Sequence, residues 1–314
     1  MKLISFVFSF RNEEKNLKNL IERVHNAVKK TDSWDYELVF VNDNSTDHSE
    51  KILLDLQKQF KIKIINMSRR FGTNPCVLAG FENSSGDCII YMDSDLQDPP
   101  ELIPEMIKQH EKGFEIVHTR RTKRLGESKT KLFFTNIAYL IINKLSDIDL
   151  QKNVGDFKLI SRKALDKILD QNEFRPYIRG LSVWVGFNQE YVEYVRESRF
   201  DGKTKFPLLS AGPFNQFISG ITAYSLKPLY FGIIVGMISI IFSLTLILYT
   251  LYIKFSGLAV PGTAGIIISI SFFSGVILFT LGVTGIYIAR IFEEVRGRKS
   301  YIIKEIVKSN TDES

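Results

Sequence analysis

Two aspartates separated by one residue are the clearest candidates for chemistry in this sequence. Asp93 and Asp95 come directly after the apolar run Cys88–Met92, which has the composition of a buried strand. Side chains at positions i and i+2 of an extended chain point the same way, so both carboxylates can converge on one ion. Such oxygen ligands favour Mg²⁺ or Mn²⁺, held together with substrate phosphates. An ion there can stabilise a diphosphate leaving group. The alternative interpretation of the two aspartates is a solvated acidic turn before a helix.

A second acidic cluster lies in the stretch VFVNDNSTD, residues 39–47. We expect Asp43 to end a strand, and the polar residues after it to cap the next helix. A carboxylate in this position can accept hydrogen bonds from a base N–H group or a ribose hydroxyl. Capping alone is the alternative, and it is our interpretation of Asp47.

Basic residues are concentrated between positions 120 and 131, where we expect a loop. They are Arg120, Arg121, Lys123, Arg124, Lys129 and Lys131. The formal net charge of +6 over 314 residues also suits an anionic partner. Basic clusters near a membrane often bind only lipid headgroups, and this alternative stays open for the three lysines. No recognised nucleic-acid motif accompanies the charge, so a nucleic-acid partner is not expected.

The elements that must position these residues alternate along the first third of the chain. The strand candidates are Ile4–Phe8, Glu37–Val41, Lys63–Asn66, Cys88–Met92 and Glu115–Val117. The helix candidates are Glu13–Lys30, Ser49–Gln59, Pro75–Asn83 and Pro99–Lys112. This alternation predicts an α/β domain with a mainly parallel sheet and helices on both faces. Ligands of such sheets bind beyond the carboxyl ends of the strands.

Two segments without charge follow, Leu229–Ile253 and Pro261–Ala289. A helix rises about 1.5 Å per residue, so each is long enough to cross a hydrocarbon core of about 30 Å. The flanking cations are Lys203, Lys205 and Lys227 on one side and Arg290, Arg296, Arg298 and Lys299 on the other. The positive-inside rule therefore predicts a hairpin of two membrane helices with both termini in the cytosol. Buried helices of a soluble core are the alternative.

Apolar residues recur at helical spacing just before the first of these segments, at Phe214, Phe217, Ile218, Ile221 and Tyr224. They predict either an amphipathic helix lying in the membrane interface or an ordinary packed helix. The run Leu3–Phe10 is too short for a signal peptide, so we expect the N-terminus to begin a cytosolic domain. Cys76 and Cys88 form no CxxC pair and are expected to be buried core residues.

Several stretches together resemble glycosyltransferase family two. They are FSFRNEEKNL, VFVNDNSTD, SRRFG, YMDSDLQDPPE, GDFKLISRKA, RGLSVWVGF and RFDGKTKFP. Within the family the chain is similar to the polyprenyl-phosphate glycosyltransferases over nearly all of residues 1–300. These include dolichol-phosphate mannose synthases and bactoprenol glucosyltransferases, and the two apolar segments favour the bactoprenol branch. The resemblance implies a GT-A (Rossmann-like) fold, an inverting mechanism and a metal-dependent nucleotide diphosphate sugar donor.

Site residues follow from this resemblance by position. The nucleotide pocket would be lined by Ser9, Glu13, Asp43 and Asp93. The metal, Mg²⁺ or Mn²⁺, would be held mainly by Asp95, with Asp93 and Gln97 beside it. Asp156 would be the carboxylate nearest the reacting centre. The acceptor phosphate would be held by Arg121, Arg124, Arg199, Thr204 and Lys205. Three positions depart from the usual pattern of the family, namely Ser9, Arg11 and Arg70.

The expected reaction is inverting transfer of a hexose to undecaprenyl (polyprenyl) phosphate at the cytoplasmic face of the inner (plasma) membrane. A UDP-sugar donor, carrying glucose or N-acetylglucosamine, is favoured. A lipid phosphate is already ionised at neutral pH, so Asp156 would orient the acceptor or stabilise positive charge on the sugar more than act as a strong base. The alternatives are mannosyl transfer from GDP-mannose, a soluble acceptor, a processive polysaccharide synthase and a catalytically silent membrane scaffold.

The expected domain order follows from the same features. Residues 1–207 would form the GT-A catalytic domain and 208–228 the interfacial segment. Residues 229–290 would form the transmembrane hairpin and 291–314 a cytosolic tail. Membrane association and a homo-oligomer, with a tetramer as the example among relatives, complete the expected partners.

Overall fold

The computed structural model describes residues 2–31, 33–124, 140–149, 151, 153–196, 218, 220–257 and 262–309. The strands in these ranges are β1 Lys2–Phe10, β2 Trp34–Asn42, β3 Ile62–Met67, β4 Cys88–Tyr91, β5 Ile116–Arg124, β6 Val154–Ser161, β7 Gln189–Arg196 and β8 Ile303–Val307. The helices are α1 Leu17–Val28, α2 Ser49–Leu56, α3 Thr73–Glu82, α4 Ile103–Glu111, α5 Arg162–Leu169, α6 Ile178–Trp184, α7 Lys227–Phe255 and α8 Thr263–Val295. A 3₁₀ turn, Pro100–Leu102, precedes α4.

The strands form one sheet in the order β7-β5-β6-β4-β1-β2-β3-β8. Parallel pairing of β1 with β2 and β4, and of β2 with β3, builds its centre. These strands are apolar along their length because helices cover both faces, and β1 buries Phe6 and Phe8 on one face and Val7 on the other. The predicted α/β class with a mainly parallel sheet is confirmed, and the carboxyl ends of β4, β1 and β2 lie side by side.

The predicted strands and helices of the first third are all present, with shifted ends. The helical stripe of α1 is buried as its periodicity predicts, at Leu17, Leu20, Ile21, Val24 and Val28. The helix predicted over Pro99–Lys112 is divided into the 3₁₀ turn and α4. Cys76 and Cys88 are buried free thiols, as expected.

The basic segment corrects one expectation. Residues 120–124 were expected in a loop, but they extend β5 to Arg124. The extension forms because β5 pairs with β6 on one side and with β7 on the other, so its backbone groups find partners despite the charged side chains. Residues 125–139 lie outside the described ranges.

The last strand was not anticipated, because residues 291–314 were expected to form a tail. Instead β8 returns from α8 and pairs antiparallel with β3, with Ile64 opposite Val307. Gln57 donates to the carbonyl of Val307, and the Ser68 N–H donates to the carbonyl of Ile302. After the second apolar helix the chain therefore covers the edge of β3, which cannot then pair elsewhere, and β8 becomes the edge strand of the sheet.

The two long helices are apolar and almost wholly exposed. By length and composition, Lys227–Ile253 and Ile268–Val295 could each cross a membrane. Within the apolar stretch of each helix, only 6% and 0% of the residues are buried. A core helix of a soluble protein would be covered instead. The pair forms a hairpin in which the rings of Phe242 and Phe272 lie 5.6 Å apart.

The close packing of α3 on β1 yields a stability prediction. A Cβ added at Gly80 would lie 2.3 Å from Cγ1 of Val7, which is fully buried. We expect Gly80→Ala to cost roughly 1–3 kcal/mol, because overpacked cores must shift backbone, and to lower the thermal unfolding midpoint of the purified protein. Gly275→Ala is the matched control, since nothing lies within 4 Å of its added Cβ. Equal midpoints for both variants would contradict this packing.

Candidate active site

The turn after β4 carries the acidic residues to the carboxyl edge of the sheet. Asp93 and Asp95 are partly buried, whereas Ser94, Leu96 and Asp98 between and after them are buried. The backbone reverses at Leu96, which has φ of 58°, and the Gln97 N–H donates to Oδ1 of Asp95 at 3.2 Å. The Ser94 hydroxyl donates to the carbonyl of Ser9 at 3.2 Å and so fixes the turn against the end of β1.

Burial and repulsion between carboxylates together set the electrostatics of this turn. Burial, together with the charges of Asp156, Asp95 and Asp98, raises the pKa of Asp93 to about 7. The Tyr91 hydroxyl donates to Asp93 at 3.1 Å, which offsets part of the repulsion. A divalent cation would relieve the rest.

The donor set fits a cation that is shared with a ligand. No group of three or more His, Cys, Asp or Glu side chains in the described ranges is arranged to hold an ion by itself. Mg²⁺ is usually held by one or two carboxylates plus substrate phosphates. Asp93 and Asp95 can supply the carboxylates, and a place for Gln97 beside the ion stays a prediction.

Asp156 lies in β6 and forms a two-point ion pair with Arg179 of α6. The guanidinium donates from Nε to Oδ1 at 3.2 Å and from Nη2 to Oδ2 at 2.6 Å. Burial alone would raise the pKa of Asp156, but the charge and hydrogen bonds of Arg179, with Lys158 and Arg121, lower it to about 2. Asp156 is thus an ionised carboxylate at neutral pH and a weak base.

Arg179 lies in the stretch RGLSVWVGF, but no role for it was predicted from the sequence. A buried lysine was missed as well. Lys158 is fully buried and donates to the Ser182 hydroxyl at 3.0 Å, which in turn donates to the carbonyl of Arg179 at 3.0 Å. Burial, with the charge of Arg179, lowers the pKa of Lys158 to about 8 against the opposing effect of Asp156. A lysine at i+2 from Asp156 in a strand was the available signal.

Arg121 was predicted to meet the acceptor phosphate, and the structure pairs it with Asp98. Its Nη2 lies 3.4 Å from both carboxylate oxygens of Asp98, and its Nε donates to the Tyr194 hydroxyl at 2.8 Å. The side chain is 11% exposed. Arg121 therefore holds the end of the acidic turn against β5 and β7, while its contact with a phosphate stays a prediction.

Arg124 ends β5, and its side chain lies outside the described part of the structure. Arg199, Thr204 and Lys205 lie outside the described residues altogether.

The nucleotide-side residues gather around the same edge. Ser9 lies near the end of β1, and Asp43 directly follows β2. Asp43 accepts the N–H groups of Phe71 at 2.6 Å and Gly72 at 3.2 Å, and so organises the SRRFG stretch. Glu13 accepts the Asn16 amide at 2.7 Å. Ser9, Asp43 and Asp93 are thus brought to neighbouring strand ends, and their contacts with a nucleotide stay predictions.

The layered sheet with its acidic edge defines an α/β protein of the GT-A type. The family model "Glycosyl transferase family 2" matches residues 5–169, and the chain belongs to that family. An uncharacterised glycosyltransferase of Synechocystis is 37% identical over 96% of this chain and 95% of its own. The bactoprenol glucosyl transferase of Shigella phage SfII is 35% identical over 98% of this chain and 99% of its own.

Among solved structures, a glucosyl-3-phosphoglycerate synthase from Mycobacterium tuberculosis is similar with a TM-score of 0.49 and 18% identity. The match covers 71% of this chain and 79% of that one, which holds Mn²⁺, uridine-diphosphate-glucose and phosphoglyceric acid.

The ion pair between Asp156 and Arg179 generates the prediction for this site. Asp156→Asn keeps the shape but removes the charge, so the partly buried guanidinium of Arg179 loses its ion pair with this carboxylate. We expect glycosyl transfer by the purified protein to slow by about 10²-fold or more, as when a charge-stabilising group is lost. Asp55→Asn, whose side chain is 65% exposed on α2, should leave the rate unchanged. An Asp156→Asn variant with normal turnover and a normal unfolding midpoint would remove Asp156 from the chemistry.

Proposed function

We propose that this protein transfers glucose from UDP-glucose to a polyprenyl phosphate, such as undecaprenyl phosphate, at the cytoplasmic face of the plasma membrane. The observation that carries the proposal is the joining, in one chain, of a GT-A acidic edge to two long exposed apolar helices. The relative from Shigella phage SfII, named as a bactoprenol glucosyl transferase, aligns over both features and supports glucose as the sugar and a polyprenyl carrier as the acceptor.

The donor would lie across the ends of β1, β2 and β4. Asp43 and Ser9 flank the expected nucleotide position, and Asp93 and Asp95 face the expected diphosphate. A bound Mg²⁺ or Mn²⁺ would offset negative charge on the departing nucleoside diphosphate. The residues that would hold it are Asp93 and Asp95, with Gln97 beside them.

The acceptor would need no strong base. Its phosphate oxygen is already ionised at neutral pH, so the chain must hold two anionic groups near each other and align the attack on C1. Attack from the face opposite the diphosphate inverts the configuration at that carbon. Asp156, kept ionised by Arg179, suits the stabilisation of positive charge that develops on the sugar ring. Cations of the basic segment and of RFDGKTKFP would meet the acceptor phosphate.

The apolar helices would form the membrane hairpin. Lys227 at the start of α7 and the cations that follow Arg290 near the end of α8 lie at the same end of the pair, which favours a cytosolic position for that end and for the sheet. In the proposed order, residues 1–207 are catalytic, 208–228 adjoin the membrane and 229–290 span it. Of residues 291–314, the segment 303–307 belongs to the catalytic sheet rather than to a free tail.

The proposal predicts one product in a donor panel. Purified full-length protein in detergent would be given undecaprenyl phosphate, Mg²⁺ or Mn²⁺, and radiolabelled UDP-glucose, UDP-N-acetylglucosamine or GDP-mannose. We expect label to pass into the organic phase from UDP-glucose, and EDTA to abolish this transfer, because without a cation the carboxylates of Asp93 and Asp95 repel the diphosphate.

The other outcomes contradict separate parts of the proposal. Labelled lipid from GDP-mannose would replace glucosyl by mannosyl transfer. Transfer that persists in EDTA would overturn the metal requirement. A folded protein that binds nucleotide and forms no lipid product from any donor would favour a silent scaffold or a different acceptor.

A further inference from the structure

Helix α6 faces the candidate active site on one side and a tyrosine outside the sheet domain on the other. Its Arg179 makes the ion pair with Asp156. One residue later, a Cβ at Gly180 would lie 2.3 Å from Cε2 of Tyr224. The glycine therefore allows the Tyr224 ring to rest directly on the helix backbone. The Tyr224 hydroxyl also donates to the carbonyl of Tyr177, just before α6, at 3.4 Å.

Tyr224 is in turn held by the end of the second apolar helix. The Tyr287 hydroxyl of α8 donates to the carbonyl of Ser225 at 2.7 Å, and Arg290 donates to the Thr222 hydroxyl at 2.7 Å. Arg290 lies three positions after Tyr287, so both project from one face of α8. The residues on either side of Tyr224 are thereby fixed to this helix.

A third contact comes from the same face of α8, one turn further along. Both carboxylate oxygens of Glu294 accept the Phe174 N–H at 3.1 Å. Phe174 lies four residues before α6. The end of α8 thus contacts the chain at Phe174, which leads into α6, and also residues 222–225, which pack on the side of α6 that faces away from the active site.

On the sheet side, α6 is held by Lys158 through Ser182. The helix is only seven residues long, and these contacts add to the core packing of Leu181 in fixing its position. A two-point pair between a guanidinium and a carboxylate requires aligned planes, and a displacement of about 1 Å at a reacting centre is enough to slow a reaction markedly.

We propose that Tyr224 is a positioning residue that transmits the placement of the apolar hairpin to Arg179 through α6. This inference rests on the proposed function for its kinetic test. In this account the hairpin anchors the enzyme and also sets the geometry of the Asp156–Arg179 pair. Of the segment expected at the interface, residues 222–225 lie between α8 and α6, and Ile221 is buried in one cluster with Ile142 and Tyr177.

A double-mutant cycle tests the coupling. Tyr224→Ala should lower kcat for transfer to undecaprenyl phosphate by about 10-fold, within the range of coupling between residues in contact, and leave the donor KM unchanged. In an Arg179→Ala background the same change should cost less than about 2-fold, because Tyr224 acts through Arg179. Independent, additive losses would overturn the proposal.

Two further variants guard against a merely structural effect. Tyr224→Phe keeps the ring on Gly180 and should retain nearly full kcat. Tyr230→Ala makes the same substitution at a 58% exposed position on α7 and should leave kcat unchanged. If Tyr224→Ala fails to fold, Tyr287→Phe removes only the bond to Ser225 and should lower kcat by about 2- to 3-fold, again only while Arg179 is present.

Amide hydrogen exchange tests the positioning role of Tyr224 independently of the proposed reaction, because the measurement needs no turnover. In full-length protein in nanodiscs, Tyr224→Ala should speed exchange in residues 174–184 and not in α1, whereas Tyr230→Ala should change neither. If Tyr224→Ala speeds exchange in residues 174–184 while the wild-type protein glycosylates no lipid, the positioning role is upheld and the proposed reaction is rejected. Lipid glycosylation with unchanged exchange and additive kinetics would do the reverse.

Discussion

The carboxylates of Asp93, Asp95, Asp98 and Asp156 repel one another at one edge of the sheet, and the surrounding structure is arranged around that repulsion. Arg121 balances Asp98 from β5, and Arg179 balances Asp156 from α6. Burial, together with the charges of Asp156, Asp95 and Asp98, raises the pKa of Asp93, so this carboxylate lies where further negative charge is unfavourable. In the proposed function, a divalent cation bound between these carboxylates and the donor diphosphate would offset this charge.

The fold supplies this edge through strand order. Parallel pairing of β4, β1 and β2 sets the ends of three strands side by side, and the antiparallel β6 brings Asp156 beside β4. The chain then leaves the sheet, forms the apolar hairpin and returns as β8 on the far edge. Because β8 and the end of α8 both contact the sheet domain, the hairpin is tied to it at more than one point, and its orientation can influence the site.

Patterns within short stretches of the sequence predicted those features that depend only on neighbouring residues in the chain. Alternating apolar runs predicted the central sheet, and the Asp-x-Asp spacing after β4 predicted the acidic edge. Arg179 was missed because its partner lies in another element and helical spacing gives no sign of it. Lys158 was missed because a lysine in an apolar strand is identifiable as a buried charge only once its neighbours are known. The continuation of β5 and the return of β8 depend on pairing with distant strands, which composition does not encode.

The most direct test of the central claim is to measure Mn²⁺ binding to the full-length protein by electron paramagnetic resonance, with and without UDP. Two carboxylates without phosphate ligands should bind the ion weakly, and UDP should tighten binding by at least about 10-fold. Asp95→Asn should abolish the tightening, whereas Asp55→Asn should not alter it. Tight Mn²⁺ binding without nucleotide, or UDP binding that is indifferent to the ion, would contradict a site completed jointly by the cation and the donor.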